Sequence, residues 1–364
     1  MKIALVHDYL NQSGGAERVL ETFMEMFPDA PVYTLLYDKA RTLGRFEGRV
    51  RATSFLDRPL VRRRHRPFIP LMPLAARSMN LGNEYDVIIS SSAGFGKGVS
   101  YADSFHLCYC HTPLRYAWES RTYFADSFSL PMRIAAEPAL AYLRHWDRRA
   151  AQRPNVMIAN SGFIAEKIRT YYGREARVIY PPVDCEFFRP RVVASERRYF
   201  LALGRMMRYK RFDLIVQTFN ELDLPLLIVG IGPEFARLQE MNTSSKTVFF
   251  GMADERQLRD FYQGARALIF PQVEDFGLVA AEAIASGTPV IAYDKGGAKE
   301  IVNARNGIFF SEQTVSALKD AVRKFENAYF SPPIVADTAQ RFSKQRFKDE
   351  IGAVLQKNAP FIGA

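Results

Sequence analysis

The stretch Ala267 to Asp294, ALIFPQVEDFGLVAAEAIASGTPVIAYD, constrains the fold more than any other part of the chain. The short apolar run Ala267 to Phe270 reads as a buried strand, Pro271 to Phe276 as its exit loop, Leu278 to Ser286 as a helix and Val290 to Tyr293 as the next strand. Gly287 and Pro289 stop the helix. Buried strands joined through a helix belong to an α/β sheet. Within LVAAEAIA the single charge is Glu282. A carboxylate buried alone costs several kcal/mol or more, so on an apolar helix it must be paired or hydrogen-bonded. Glu274 stands where the strand gives way to the helix. Ligands of open α/β sheets bind at the carboxyl ends of strands, so both carboxylates and the helix N-terminus are candidates for one site.

The 364 residues suffice for two domains with separate cores. An apolar fraction of 48% against 24% charged fits a globular protein, and no apolar run approaches the roughly 20 residues of a membrane span. Met1 to Leu10 reads as a first strand and not as a signal peptide, because Asp8 interrupts it and no small-residue cleavage site follows. Cys108, Cys110 and Cys185 make neither a disulfide framework nor a zinc set, which suggests a reducing compartment.

The net charge of +10 is uneven. Between Arg41 and Arg77 lie Arg45, Arg49, Arg51, Arg58, Arg62, Arg63, Arg64 and Arg66, against only Glu47 and Asp57, and the apolar Pro67 to Ala75 follows directly. Such a block favours anionic partners. An anionic membrane surface reached through Arg41–Ala76 and a solvated loop beside a core helix are both open. No nucleic-acid module or aromatic-basic interleaving accompanies the charge, so nucleic acid is not expected.

Along the chain, Lys2 to Val6 is a strand; His7 to Leu10 leads to Ser13-Gly14-Gly15-Ala16-Glu17 and a helix. Gly14 and Gly15 let backbone N–H groups approach an anion, or form a tight turn. Neither the three-glycine dinucleotide fingerprint nor the Walker spacing is present. Tyr85 to Ser90 is a strand leaving into a flexible polar loop, Ser91 to Gly98; Phe105 to Cys110 is another, with His111 at its end. A neutral imidazole there serves either a substrate hydroxyl, as donor or acceptor, or a structural cap; His7 is a weaker candidate. Pro138 to Arg153 reads as a helix, Val156 to Ala159 as a strand, Asn160-Ser161 as a cap for a helix from Phe163 to Tyr171, and Pro181-Pro182 as the linker.

After it the βα rhythm restarts. Tyr199 to Leu203, Leu226 to Val229 and Val248 to Phe250 are strands, and Phe212 to Leu222 is a helix. Arg205 and Lys210 flank a loop at a strand end, suited to clamp a diphosphate or simply solvated. Gly296-Gly297 forms a second glycine-rich turn, and Thr338 to Lys357 reads as a charged amphipathic helix.

Taken together, Gly204-Arg205 with Lys210, Gly230-Ile-Gly232-Pro233, Glu274-Asp-Phe-Gly-Leu-Val-Ala-Ala-Glu282 and Gly296-Gly297 through Glu300 resemble, in order, the signature of family 4 retaining glycosyltransferases. Gly14-Gly15 and the CHTPLRYAW segment extend the likeness to nearly the whole chain. It implies an α/β GT-B architecture of two Rossmann-like domains facing across a cleft: 1–184 for the acceptor, 185–342 for the nucleotide sugar, and a helix at about 343–364 packing back on the first. By this likeness Arg205 and Lys210 bind the diphosphate, Glu282 the ribose hydroxyls and Glu274 the donor sugar. Backbone N–H groups of Phe276, Gly277 and Leu278 hold sugar and phosphate, Gly14 and Gly15 line the phosphate side, and His111 approaches the sugar 6-hydroxyl. No metal or other cofactor is expected. HTPLRYAW and GGAE resemble bacterial O-antigen and exopolysaccharide mannosyltransferases, which implies GDP-mannose as donor, a lipid-linked saccharide as acceptor and a cytoplasmic, peripheral place at the inner membrane face. The alternatives are a sugar-nucleotide 2-epimerase on the same architecture and a non-catalytic membrane or anion-binding protein.

Overall fold

The computed structural model describes residues 1–12, 14–119, 130–191 and 197–358. Ser13 and the end of the expected C-terminal helix, 359–364, lie outside the described residues. The chain divides into two units, Met1–Tyr180 with Lys348–Ala364, and Pro181–Phe347. The division thus falls at the double proline, with the return to the first unit at Lys348.

The first unit carries β1 (Ile3–Leu10), β2 (Val32–Tyr37), β3 (Val50–Thr53), β4 (Val87–Ser92), β5 (Phe105–Cys110), β6 (Val156–Ala159) and β7 (Arg177–Val178). They form one sheet in the order β3-β2-β1-β4-β5-β6-β7, with every pair parallel. The second unit carries β8 (Tyr199–Leu203), β9 (Leu226–Val229), β10 (Thr247–Gly251), β11 (Ala265–Phe270), β12 (Val290–Tyr293) and β13 (Gly307–Phe310), in the order β10-β9-β8-β11-β12-β13, again all parallel. Each sheet reverses its winding once, at β1/β4 and at β8/β11, and such reversals open a crevice at the carboxyl ends of the strands. β4, β5, β9 and β12 are buried throughout, as strands covered on both faces must be.

Helix ends follow local chemistry. Ser161 accepts from Ile164 N to start Gly162–Tyr172, which Gly173 closes in the left-handed conformation. Asp254 and Gln257 form a capping box before Glu255–Gly264.

Several expectations are corrected. β1 runs to Leu10 and β4 to Ser92, because Tyr9 and Leu10 pair with Leu36 and Tyr37, and Ser91 and Ser92 with Tyr109 and Cys110. The Ser92–Gly98 segment is no flexible loop. Asp8 accepts from Ser92 Oγ at 3.1 Å, from Ala93 N at 2.6 Å and from Gly96 N, and Lys97 is fully buried. The helix expected from Pro138 begins at Leu130; Pro138 is exposed, so the carbonyl it cannot bond faces solvent. The expected tail helix is two pieces, a 3₁₀ turn at Gln340–Phe342 and a helix at Lys344–Lys357. The break has a cause: Val183 N donates to Phe342 O (2.8 Å) and Lys344 N to Val183 O (3.1 Å), a short ladder that pulls Ser343 out of the helix. Beyond it, Lys348 pairs with Glu25 at 2.9 Å within the first unit.

Candidate functional site

In the second unit the strand exits are packed backbone on backbone. Gly230 has φ +131°, and a Cβ there would stand 2.1 Å from Gly204 O; one on Gly232 would stand 2.3 Å from Met206 O. Gly204 N and Met206 N complete the contact by donating to Val229 O and Ile231 O. The exits of β11 and β12 repeat the device. Gly297 N donates to Glu274 O at 2.9 Å, and a Cβ on Gly297 would meet Phe276 at 2.4 Å. The glycines therefore fix the loops that carry the charged residues.

On this frame Lys210 ends a 3₁₀ turn, Arg208–Lys210, with its Nζ 3.0 Å from Glu274 Oε1. Burial alone would lower the lysine pKa, but Glu274 outweighs it and the net shift is upward, so the ammonium holds its proton firmly. The contact is an ion pair without a well-aligned hydrogen bond at Oε1, and the ammonium has donors left for a second anion. Arg205 is exposed beside it, with no side-chain partner among the described residues. Glu274 leads to the helix Leu278–Ala285, whose N-cap is Gly277 at φ +112°, so no side chain caps it. Its first N–H groups thus face the same exits as the two cations. Phe276, 3% exposed, anchors the turn edge to face on Phe342. Glu282 is 4% exposed and accepts from the hydroxyl of Tyr262 at 3.0 Å. That bond answers the requirement for a partner on an apolar helix.

The first unit offers a different set. His111 leaves β5, its backbone held by Ser92 O and by Asn160 Nδ2 at 3.0 Å. Its Nε2 lies 2.7 Å from Ser91 Oγ, which also stands 3.1 Å from His7 Nδ1; His7 Nε2 is 3.7 Å from Glu17 Oε1. Burial, with His7 adding, lowers the His111 pKa from 6.5 to about 3, so the ring is neutral. Gly14 and Gly15 open the helix Gly15–Met26, and a Cβ on Gly14 would come within 3.1 Å of Glu17 Oε2. Behind the β5 exit, Lys97 Nζ and Asp147 Oδ1 meet at 2.6 Å, both fully buried, and Asp147 also accepts from Trp118 Nε1 and the Tyr172 hydroxyl. The pair pins the HTPLRYAW turn to the helix Leu130–Ala150.

Arg205, Lys210 and Glu274 are thus brought together beside Phe276, Gly277 and Leu278, Glu282 sits farther along the helix on Tyr262, and His111, Gly14 and Gly15 belong to the first unit. The residues missed from sequence are Glu17, Ser91, Lys97 and Asp147. The signal was present for one of them: Ser91 lies in SSS, a polar run at the end of the apolar strand β4. No cluster of His, Cys, Asp and Glu among the described residues is arranged to hold a metal ion.

Residues 13–187 match the sequence family described as Glycosyltransferase Family 4, and residues 185–348 match Glycosyl transferases group 1. The chain belongs to glycosyltransferase family 4. Its relatives include the lipopolysaccharide core biosynthesis mannosyltransferase LpsB of Rhizobium meliloti, 26% identical over 64% of this chain and 74% of that protein. A GDP-mannose-dependent alpha-mannosyltransferase of Mycobacterium tuberculosis is 30% identical over 49% of this chain and 48% of its own. The matched stretches span only 58% and 33% of two further curated relatives, both from Methanocaldococcus jannaschii. Among solved structures, Anabaena HepE in complex with UDP-glucose superposes with a TM-score of 0.73 over 98% of this chain and 100% of that one, at 18% identity. The fold is GT-B, as the family 4 resemblance implied.

Proposed function

We propose that this family 4 protein is a retaining hexosyltransferase that moves mannose from GDP-mannose to a lipid-linked saccharide during bacterial surface-polysaccharide synthesis. The observation that carries the reading is the Lys210–Glu274 ion pair at the mouth of an uncapped helix, beside Arg205. A nucleoside diphosphate leaving group gains negative charge in the transition state, and two fixed cations plus a helix N-terminus stabilise that charge. Lys210 and Arg205 take the diphosphate, Glu274 the sugar hydroxyls, Glu282 the ribose diol, and the N–H groups of Phe276, Gly277 and Leu278 the sugar and phosphate. In the first unit, Gly14 and Gly15 serve the phosphate side and His111 a hydroxyl of the hexose. Glu274 is occupied by Lys210 and by sugar hydroxyls, which favours front-face attack, with the departing phosphate accepting the acceptor's proton, over a carboxylate nucleophile. The full cation and carboxylate set supports transfer over epimerisation, and a scaffold has no need of it.

The mannose assignment draws on LpsB and the mycobacterial enzyme; UDP-glucose in HepE supplies the competing donor. A thermal-shift series with GDP-mannose, UDP-glucose and their free nucleotides decides between them, since a donor bound to the native state raises the melting temperature. Stabilisation by UDP-glucose alone overturns the mannose reading. Labelled donor with a membrane lipid extract then separates transfer to lipid from release of an epimerised sugar.

For the acceptor we propose peripheral docking at the inner membrane face through Arg41–Ala76. The charge there is smaller than the sequence suggests: Arg62 forks onto Asp57 at 2.6 and 2.8 Å, Arg45 pairs with Glu21, and Arg49 donates to Phe27 O and Ala30 O. Arg58, Arg63 and Arg64 remain exposed beside Leu60, Leu71 and Leu74, while Ile69, Met72 and Ala75 are buried. Exposed basic and apolar side chains within one segment suit an anionic lipid surface.

A further inference from the structure

The side chains of Glu17, His7, Ser91 and His111 form a single file at the carboxyl ends of β1, β4 and β5. Glu17 is 2% exposed, His7 3%, Ser91 1% and His111 9%. Water therefore has little access to the contacts between them, and donors and acceptors must balance within the file. For a neutral His7 ring the balance leaves one arrangement. A carboxylate only accepts, so the His7 nitrogen that faces Glu17, Nε2 at 3.7 Å, carries the proton; a bare nitrogen there would set two acceptors against each other in a buried place. Gln12 Nε2, which donates to the same Glu17 Oε1 at 3.4 Å, marks that oxygen as an acceptor as well. In the neutral ring the other nitrogen of His7, Nδ1, is then an acceptor. Ser91 has one hydroxyl proton and gives it to His7 Nδ1 at 3.1 Å. At 2.7 Å on its other side the Ser91 oxygen meets His111 Nε2, and with its own proton already committed it can only accept.

We propose that Glu17, acting through His7 and Ser91, holds His111 as the Nε2-protonated tautomer, so that His111 Nδ1 is presented to the substrate as a hydrogen-bond acceptor and never as a donor. The sequence left both roles open. The pieces fit: burial keeps His111 uncharged, its Nδ1 has no hydrogen-bond partner among the described residues, and Ser92 O and Asn160 hold the backbone that aims the ring. Glu17, His7 and Ser91 are positioning residues, and a carboxylate that sets a histidine tautomer from a distance is a known device of enzyme sites. Gly14 belongs to the same construction, because a side chain at that position would crowd Glu17 Oε2 and displace the first member of the file. The consequence for specificity, which rests on the reading of His111 as a ligand of a hexose hydroxyl, is that the hydroxyl must donate. A sugar carrying fluorine at that carbon offers no proton and is no better a substrate than one lacking the group.

The test has two separable parts. Histidine ¹⁵N spectra of the full chain in mildly alkaline buffer, with His111 assigned by its loss in His111→Asn, are expected to show Nε2 protonated and Nδ1 bare. In Ser91→Ala, and independently in Glu17→Ala, the preference relaxes towards a mixture of tautomers. A wild-type His111 protonated at Nδ1 overturns the proposal. Kinetics with hexose, 6-fluoro-6-deoxyhexose and 6-deoxyhexose donors then test the acceptor role. Both analogues are expected to lose about three- to tenfold in kcat/KM, the effect of one neutral hydrogen bond; a fluoro donor that transfers nearly as well as the hexose overturns it. If His111→Ala leaves the discrimination among the three sugars unchanged, the sugar contact itself fails, and the nitrogen spectrum still judges the tautomer.

Discussion

The two units repeat one sheet topology and put opposite chemistry at its strand ends. In the second unit the exits carry charge: Lys210 on Glu274, Arg205 exposed, and a bare helix N-terminus. The exits of the first unit carry a buried file of one carboxylate, two imidazoles and a hydroxyl, and its strong ion pair, Lys97 with Asp147, is placed behind the exit where it touches nothing but protein. Charge near solvent can be lent to a ligand, whereas charge sealed in a core serves only to hold loops in place.

The sealed pair gives the largest expected effect. Lys97→Met leaves Asp147 buried without its cation and is expected to cost about 3–5 kcal/mol of stability, read by urea unfolding. A loss below about 1 kcal/mol would show that the first unit does not depend on its sealed charge. In the second unit the effect should fall on chemistry. Lys210→Ala is expected to lower kcat by about 10²–10³-fold while the fold remains intact, the usual loss for one removed transition-state donor. Because its folded pKa is raised, the Lys210 ion pair is complete below the ordinary lysine range and fades only as pH climbs through the raised value, so activity limited by this group persists into alkaline buffer.

Acid sharpens the contrast, since it strikes the buried histidines of the first unit. His106 and His111 both have folded pKa values lowered from 6.5 to about 3, chiefly by burial. Their neutral forms are favoured by folding, so their contribution is whole above 6.5 and is lost as pH falls towards 3. One pH unit below 6.5 the expected loss approaches about 1.4 kcal/mol for each ring, measurable by unfolding at stepped pH. His106→Gln should flatten part of that slope; an unchanged slope would assign the acid sensitivity elsewhere. Tyr262→Phe removes the hydroxyl that donates to Glu282 and is expected to cost about 1 kcal/mol in stability and to weaken donor binding by a similar factor. The smallest effect belongs to the surface: Arg63→Ala with Arg64→Ala is expected to weaken vesicle binding by about 1 kcal/mol per residue or less, only on anionic lipid and only at low salt. Arg62 is left in place because its fork on Asp57 is structural.

The sequence was legible where mainly apolar runs end at a glycine, a proline or a polar residue. β5, β6, β8, β9 and β12 begin and end where their composition says, since strands buried on both faces have no alternative to continuous apolar residues. The charged site was legible for a related reason: its members are close in sequence to the strand ends that carry them. Legibility failed where a polar residue is satisfied by a distant partner. Lys97 reads as part of a flexible loop until Asp147 is found beneath it, and Ser91 reads as loop until β5 is seen pairing with it. Glu282 was seen to need a partner, but nothing local names Tyr262.

The short ladder between Val183 and the residues around Ser343 has a consequence for biosynthesis. Residues 181–347 are an insertion, both ends of which are tied together, and the helix segment from Lys348 that completes the first unit is translated only after that insertion. At about 5–20 residues per second the inserted unit can fold as a closed loop while the earlier-made unit still waits for its final helix. The unit translated first is therefore the one finished last.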